Sequence, residues 1–165
     1  MNSIVVEPFT PKFSEQVPLL IVSIQRDEFG IPIDLAAQPD LQNIAEYYQH
    51  GLGNFWIARL GTKVVGTVAL LDIENGNCAL RKMFVAPEFR GESGVAARLL
   101  GAVIDWAMER GVRQIELGTT DRFLAAHRFY EKHGFQLIAK ESLAANFPIM
   151  KVDSRFYRLT LDGAL

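Results

Sequence analysis

The stretch LRKMFVAPEFRGESGVAARLLGAVIDWAMERG, Leu80 to Gly111, decides how this chain is read. Leu80, Arg81, Lys82, Met83, Phe84 and Val85 read as a β-strand, and Pro87 ends its ladder because proline has no N–H to donate. The turn Phe89-Arg90-Gly91-Glu92-Ser93-Gly94 then runs into an apolar segment from Val95 to Met108. The spacing of Leu99, Val103 and Trp106 predicts a helix with these residues inward, Arg98, Asp105 and Glu109 outward, and a stop at Gly111. The first amides of such a helix lack intrahelical partners, and its dipole adds partial positive charge, so the turn offers a cradle for a phosphate. On these residues alone, Gly91 and Gly94 serve equally well to turn the chain.

Upstream, Asn75-Gly76 predicts a type I′ hairpin into this strand, and Gly61-Thr62 joins two earlier runs, Phe55 to Leu60 and Lys63 to Ile73, in a tight hairpin. Three consecutive antiparallel strands are therefore expected. Before them, Ile4 to Val6 predict a short strand that stops at Pro8 or Pro11. Val17, Leu20, Ile21 and Ile24 put a helix over Ser14 to Arg26, and Asp27 to Pro39 reads as irregular. Asp40 is placed as the N-cap of a second helix carrying Leu41, Ile44, Ala45 and Tyr48.

Downstream come a strand at Gln114 to Gly118, a helix from Asp121 to His133 closed by Gly134, a strand at Phe135 to Ala139, a loop through Asn146-Phe147-Pro148, and a last strand at Phe156 to Leu161. The sum is an α/β (α+β) fold with a mixed sheet of about seven strands and helices on both faces.

Composition bounds the rest. With 165 residues, 49% of them hydrophobic, the chain is expected to form one soluble domain over residues 1–165. Its 17 lysines and arginines against 19 acidic residues give a net charge of −2, which argues against a nucleic-acid surface of bulk positive charge. Cys78 is the single cysteine, so no internal disulfide forms, and a reducing, cytoplasmic setting is expected. No apolar run approaches the ~20 residues of a membrane helix, and no signal peptide is evident, so no membrane partner is expected.

Two segments, ALRKMFVAPEFRGESGVAARLL (Ala79 to Leu100) and AAHRFYEKHGF (Ala125 to Phe135), resemble the GNAT superfamily of acyl-CoA-dependent N-acetyltransferases. The resemblance covers roughly Asn54 to Ile138, about half the chain, and the tail FPIMKVDSRFY looks like a bacterial subgroup without an assigned substrate. It implies a mostly antiparallel twisted sheet and acetyl-CoA as cosubstrate, with no metal. It implies that the pantetheine arm pairs with Met83, Phe84 and Val85 like an added strand, and that the diphosphate rests on Gly91, Ser93, Gly94, Val95, Ala96 and Ala97. The acetyl group would pass to a primary amine of a small molecule or peptide by direct attack in a ternary complex. A homodimer through a sheet edge or the C-terminal segment is open to such a fold.

The resemblance also places Tyr130 as the acid that protonates the departing thiolate; with an ordinary pKa of ~10 a tyrosine is protonated at neutral pH and can donate. The alternative for Tyr130 is a core aromatic with its hydroxyl at the edge. The family pattern sets a Gln or Arg three residues before the first loop glycine; here Gly91 stands there and Arg90 lies one further out, an apparent one-residue insertion that brings Glu92 beside the anion site. Phe123 replaces an asparagine that relatives use on the pantetheine arm, and Thr119 or Thr120 is the substitute.

A general base is missing from the strand, which carries Cys78, Arg81 and Lys82 but no acid. His127, three residues before Tyr130, shares its helical face and titrates near neutrality, or is structural. Asp27 and Glu28 either meet a cationic acceptor or are exposed loop charges. Cys78 is an acyl carrier or, in the plainer reading, a small buried hydrophobe. A non-catalytic acyl-CoA-binding or regulatory module is the alternative function.

Overall fold

In a computed structural model that describes residues 3–28, 30–31, 33–91, 94–121 and 124–161, seven strands form one sheet. They are β1 (Ile4–Pro8), β2 (Asn54–Leu60), β3 (Lys63–Asp72), β4 (Asn77–Val85), β5 (Gln114–Thr119), β6 (Gln136–Ile138) and β7 (Arg155–Thr160), in the spatial order β1-β2-β3-β4-β5-β7-β6. Every pair is antiparallel except β4 with β5. The expected Asn75-Gly76 hairpin is present, both residues having the positive φ that a type I′ turn demands.

Helices α1 (Gln16–Ser23) and α2 (Ile44–Tyr48) cover one face, and α3 (Val95–Glu109) and α4 (Leu124–Lys132) the other. Side chains alternate across a strand, so β2 sends Phe55 and Ile57 to the first core and Trp56 and Ala58 to the second. With both faces covered, the strand reads as an unbroken apolar run. Val95, Leu99, Leu100, Val103 and Ala107 form the buried stripe of α3. Gly66 lets that helix settle onto β3: a Cβ there would lie 3.0 Å from Leu99 and 3.1 Å from Val95.

Two local expectations are corrected. The first helix does not give way to a loop at Asp27 but widens into a π-helical turn over Ile24–Glu28. Asp40 does not cap α2, whose N-cap is Asn43; its carboxylate points inward, accepting from the Tyr48 hydroxyl at 2.6 Å and pairing with Lys82 at 3.5 Å. A buried acceptor with two donors is worth more there than at an exposed helix start. Among the described residues no helix is long and apolar enough to cross a membrane.

The feature that opens the molecule is a bulge in β4. Register passes from Thr67↔Phe84 to Ala69↔Arg81, so Val68 alone faces both Lys82 and Met83. Lys82 has a φ of 55°, a left-handed conformation that costs a non-glycine residue about 1 kcal/mol or more. Its neighbours hold it there: Thr67 Oγ1 donates to its carbonyl at 2.7 Å, and its Nζ donates to Gln38 at 2.6 Å. The bulge bends β4 away from β5, whose pairing ends after Asn77, Cys78 and Ala79.

Candidate active site

Beyond Ala79 the two parallel strands splay, and the wedge between them is a cleft of about 830 Å3. One wall is β4 from Leu80 to Val85; the other is Leu117 to Thr120 with α4 behind it. Alternation along an antiparallel ladder fixes which amides face the opening. Ala86 donates to Val65 on β3 at 2.8 Å and Phe84 stands opposite Thr67, so Val85 and Met83 turn their N–H and C=O toward the wedge. An open strand edge of this kind accepts an extended amide-bearing chain.

The N-terminus of α3 stands at the mouth. Arg98 makes the first helical hydrogen bond, to Gly94 at 3.0 Å, which leaves the amides of Val95, Ala96 and Ala97 without intrahelical partners. Among the described residues no side chain caps them, and Gly94 takes a φ of 70° that glycine adopts without strain. Gly91 and Ala96 line the cleft, while the Val95 side chain is buried in the core. Ser93, Glu92 and Phe123 lie outside the described residues.

Tyr130 projects from α4 into the cleft among Phe129, Phe135 and Tyr157. Burial alone pushes its pKa up, so the phenol keeps its proton at neutral pH. Thr119 and Thr120 line the same cavity.

Other sequence candidates sit elsewhere. His127 does share the buried face of α4 with Tyr130, but it is not on the cleft wall: its Nε2 lies 2.8 Å from the Thr120 carbonyl, and its ring lies against Tyr157. The helical spacing was right, but the side chain is used to pin the turn between β5 and α4. Asp27 is exposed and lines neither cavity. Glu28 reaches the cleft mouth, where both carboxylate oxygens are taken by Arg90, and this pairing holds its carboxyl below the usual range. Arg90 in turn donates through Nε to the Val85 carbonyl at 2.8 Å. Cys78 is fully buried, and burial pushes its thiol up to about 12, which removes it as an acyl carrier.

Sequence reasoning missed Asp153, in the tail before β7. It lines both the cleft and a smaller chamber of about 140 Å3 that adjoins it, shared with Arg81, Lys82, Phe84 and Gly118. Its Oδ2 accepts from the Met150 amide at 2.9 Å, and burial raises its carboxyl above the ordinary value. The tail reaches this position because Glu116, fully buried on β5, is held by Arg158 at 2.7 and 2.9 Å and accepts from the Ala144 amide at 3.0 Å. The one local hint was the change from polar loop to FPIM just before Asp153.

An open β4 edge, a helix N-terminus at its end and a buried phenol opposite define the acyltransferase class. The description "Acetyltransferase (GNAT) family" fits residues 20–135, more than half of the chain, and the chain belongs to that family. It is 37% identical to an acetyltransferase of the GNAT family from Staphylococcus aureus Mu50, with a TM-score of 0.92 over 97% of this chain and 100% of the other. PaiA N-acetyltransferase from Thermoplasma acidophilum, solved in complex with coenzyme A, shares the fold at 15% identity, with a TM-score of 0.73 over 96% of this chain and 99% of that one. N-acetylaspartate synthetase of Danio rerio is 39% identical over 110 residues, which span 66% of this chain but only 39% of the synthetase.

Proposed function

We propose that the protein transfers an acetyl group from acetyl-CoA to a primary amine by direct attack, with both substrates bound together. The observation that carries this reading is the single cleft in which the free edge of β4, the unpaired amides of α3 and the Tyr130 side chain meet. Val85 and Met83 suit the amides of a pantetheine arm, and Val95, Ala96 and Ala97 suit a diphosphate through dipole and N–H donors together. Pairing of the arm with the Val85 carbonyl competes with Arg90, so binding loosens the Arg90–Glu28 contact.

The thioester supplies an activated acyl carbon. Asp153, as a carboxylate, takes a proton from the acceptor ammonium; the freed nitrogen attacks the carbonyl carbon, the C–N bond forms and the C–S bond breaks. The Met83 N–H stabilises charge on the carbonyl oxygen; Tyr130 gives its proton to the departing sulfur and is reprotonated by the second proton that the nitrogen sheds as it becomes an amide. Asp153 is the acid that β4 itself lacks, delivered from the tail instead.

Calorimetric titration of acetyl-CoA into the protein, followed by thiol release with a panel of amines, tests the reading. Saturable binding with thiol release on at least one amine is expected. Binding with no turnover would make the chain a silent acyl-CoA-binding module, and no binding at millimolar ligand would remove the function altogether.

A further inference from the structure

The small chamber beside the cleft differs from it in chemistry. Two cations, Arg81 and Lys82, and one carboxylate, Asp153, face it together with Gln25. Lys82 is committed: its Nζ lies 2.6 Å from Gln38 and 3.5 Å from Asp40, and its side chain is 7% exposed. Gln25 is held by reciprocal hydrogen bonds with Gln38 at 2.8 and 3.2 Å.

Arg81 is not committed in this way. Among the described residues no carboxylate lies within ion-pair distance of it, although the Asp40 charge reaches it and the Tyr47 side chain hydrogen-bonds to it; its Nη2 reaches the sulfur of Met150 at 3.6 Å, and it lies 6.0 Å from the ring centres of Tyr47 and Tyr48. Thioether sulfur is a weak acceptor, so Nη2 can exchange it for a stronger one. Asp153 forms no direct ion pair among the described residues, although the Arg81 charge acts on it across the chamber, and it accepts from the Met150 amide. Met150 therefore stands between a guanidinium and a carboxylate that form no direct ion pair with each other.

Resting on the transferase reading above, we propose that this chamber is the acceptor subsite and that the acceptor is a small amine bearing a carboxylate, an amino acid by class. Its carboxylate sits on the Arg81 guanidinium, in the planar two-point geometry that arginine favours, and its ammonium sits on Asp153 at the edge shared with the cleft. Lys82 adds no free charge of its own, because Asp40 offsets it. A polyamine would bring a second ammonium against Arg81, and a chamber of about 140 Å3 has no room for a folded chain.

The test compares thiol release by the full chain at saturating acetyl-CoA with L-aspartate, L-alanine, L-alaninamide and spermidine. L-Alanine and its amide differ by one carboxylate, and kcat/KM is expected to favour the acid. Arg81→Gln should lower kcat/KM for L-alanine about ten- to hundredfold, the usual worth of a charge-assisted pair, while changing that for the amide little. Arg81→Lys should restore part of the loss; if Arg81→Gln fails to fold, Arg81→Lys and the wild-type preference decide. Preference for spermidine or the amide, or an equal loss on acid and amide in Arg81→Gln, overturns the proposal while leaving acetyl transfer intact. Absence of thiol release with every amine overturns the transferase reading itself, and this assignment with it.

Discussion

The cleft and the chamber share the β4 bulge as a wall, yet they recognise by opposite means. The cleft offers main-chain groups: the turned amides of Met83 and Val85 and the bare N–H groups of α3. The chamber offers side chains, Arg81 and Asp153, drawn from segments about seventy residues apart. A site built from backbone needs only a strand edge, a turn and small residues, so its specificity is fixed by the fold. A site built from side chains is set residue by residue and changes without disturbing the sheet. On the proposed function, this difference would let the acceptor site change while the acetyl-CoA site stays with the sheet.

Four substitutions would break or sharpen that contrast. Tyr130→Phe strikes the cleft: kcat should fall by about 10²–10⁴ with acetyl-CoA affinity little changed, read by thiol release and calorimetry. Unchanged turnover with chemistry rate-limiting would strip Tyr130 of its acid role. Glu116→Gln leaves Arg158 short of its buried partner and should destabilise by about 3 kcal/mol in urea unfolding. Because this pair anchors the tail, KM for the amine should rise more than Kd for acetyl-CoA; an equal rise would mean that the tail serves both sites.

Gly94→Glu acts on the cleft alone. It places a side chain at a φ of 70° and a negative charge beside the unpaired amides, and should weaken acetyl-CoA binding about tenfold or more in calorimetry. An unchanged Kd would put the diphosphate elsewhere. Asp153→Asn acts on the chamber with the smallest effect on stability. Burial raises the folded carboxyl above its ordinary 3.8, so the charged form costs stability above the folded pKa. The Asn variant, which still accepts from Met150, should therefore be slightly more stable at neutral pH. That gain should shrink as pH falls through the folded value and vanish below 3.8. A loss of stability at neutral pH would show the carboxylate to be structural.

Much of the cleft was legible in sequence because its determinants are local. Asn75-Gly76, Pro87, Gly94 and the stripe Leu99-Val103 each act within a few residues, and they gave strand, turn and helix in order. Tyr130 was singled out by the resemblance carried on AAHRFYEKHGF, and it lies on α4 at the cleft. The bulge left no mark, since a left-handed lysine at position 82 has no compositional signature and is held by Thr67 and Gln38 from other segments. For the same reason Asp40 read as a cap, Glu28 stayed open between acceptor ligand and exposed loop charge, and Asp153 did not register. Each is decided by a partner distant in sequence: Tyr48 and Lys82, Arg90, or the anchored tail. His127 shows the finer limit, because spacing gave its helical face but not what that face touches.

The splay of β4 from β5 has a further consequence for the life of the chain before any ligand arrives. An unpaired ladder is a template for other strands, and exposed edges of this kind are where β-proteins aggregate. Here the open edge lies in the middle of the sheet, with β5 on its far side and α4 behind, and Leu80 and Val85 are at most 7% exposed. A slender chain can thread the gap, but a second sheet cannot approach it. The protein thus keeps strand groups that β5 does not pair ready for use without offering them to its neighbours in a crowded solution.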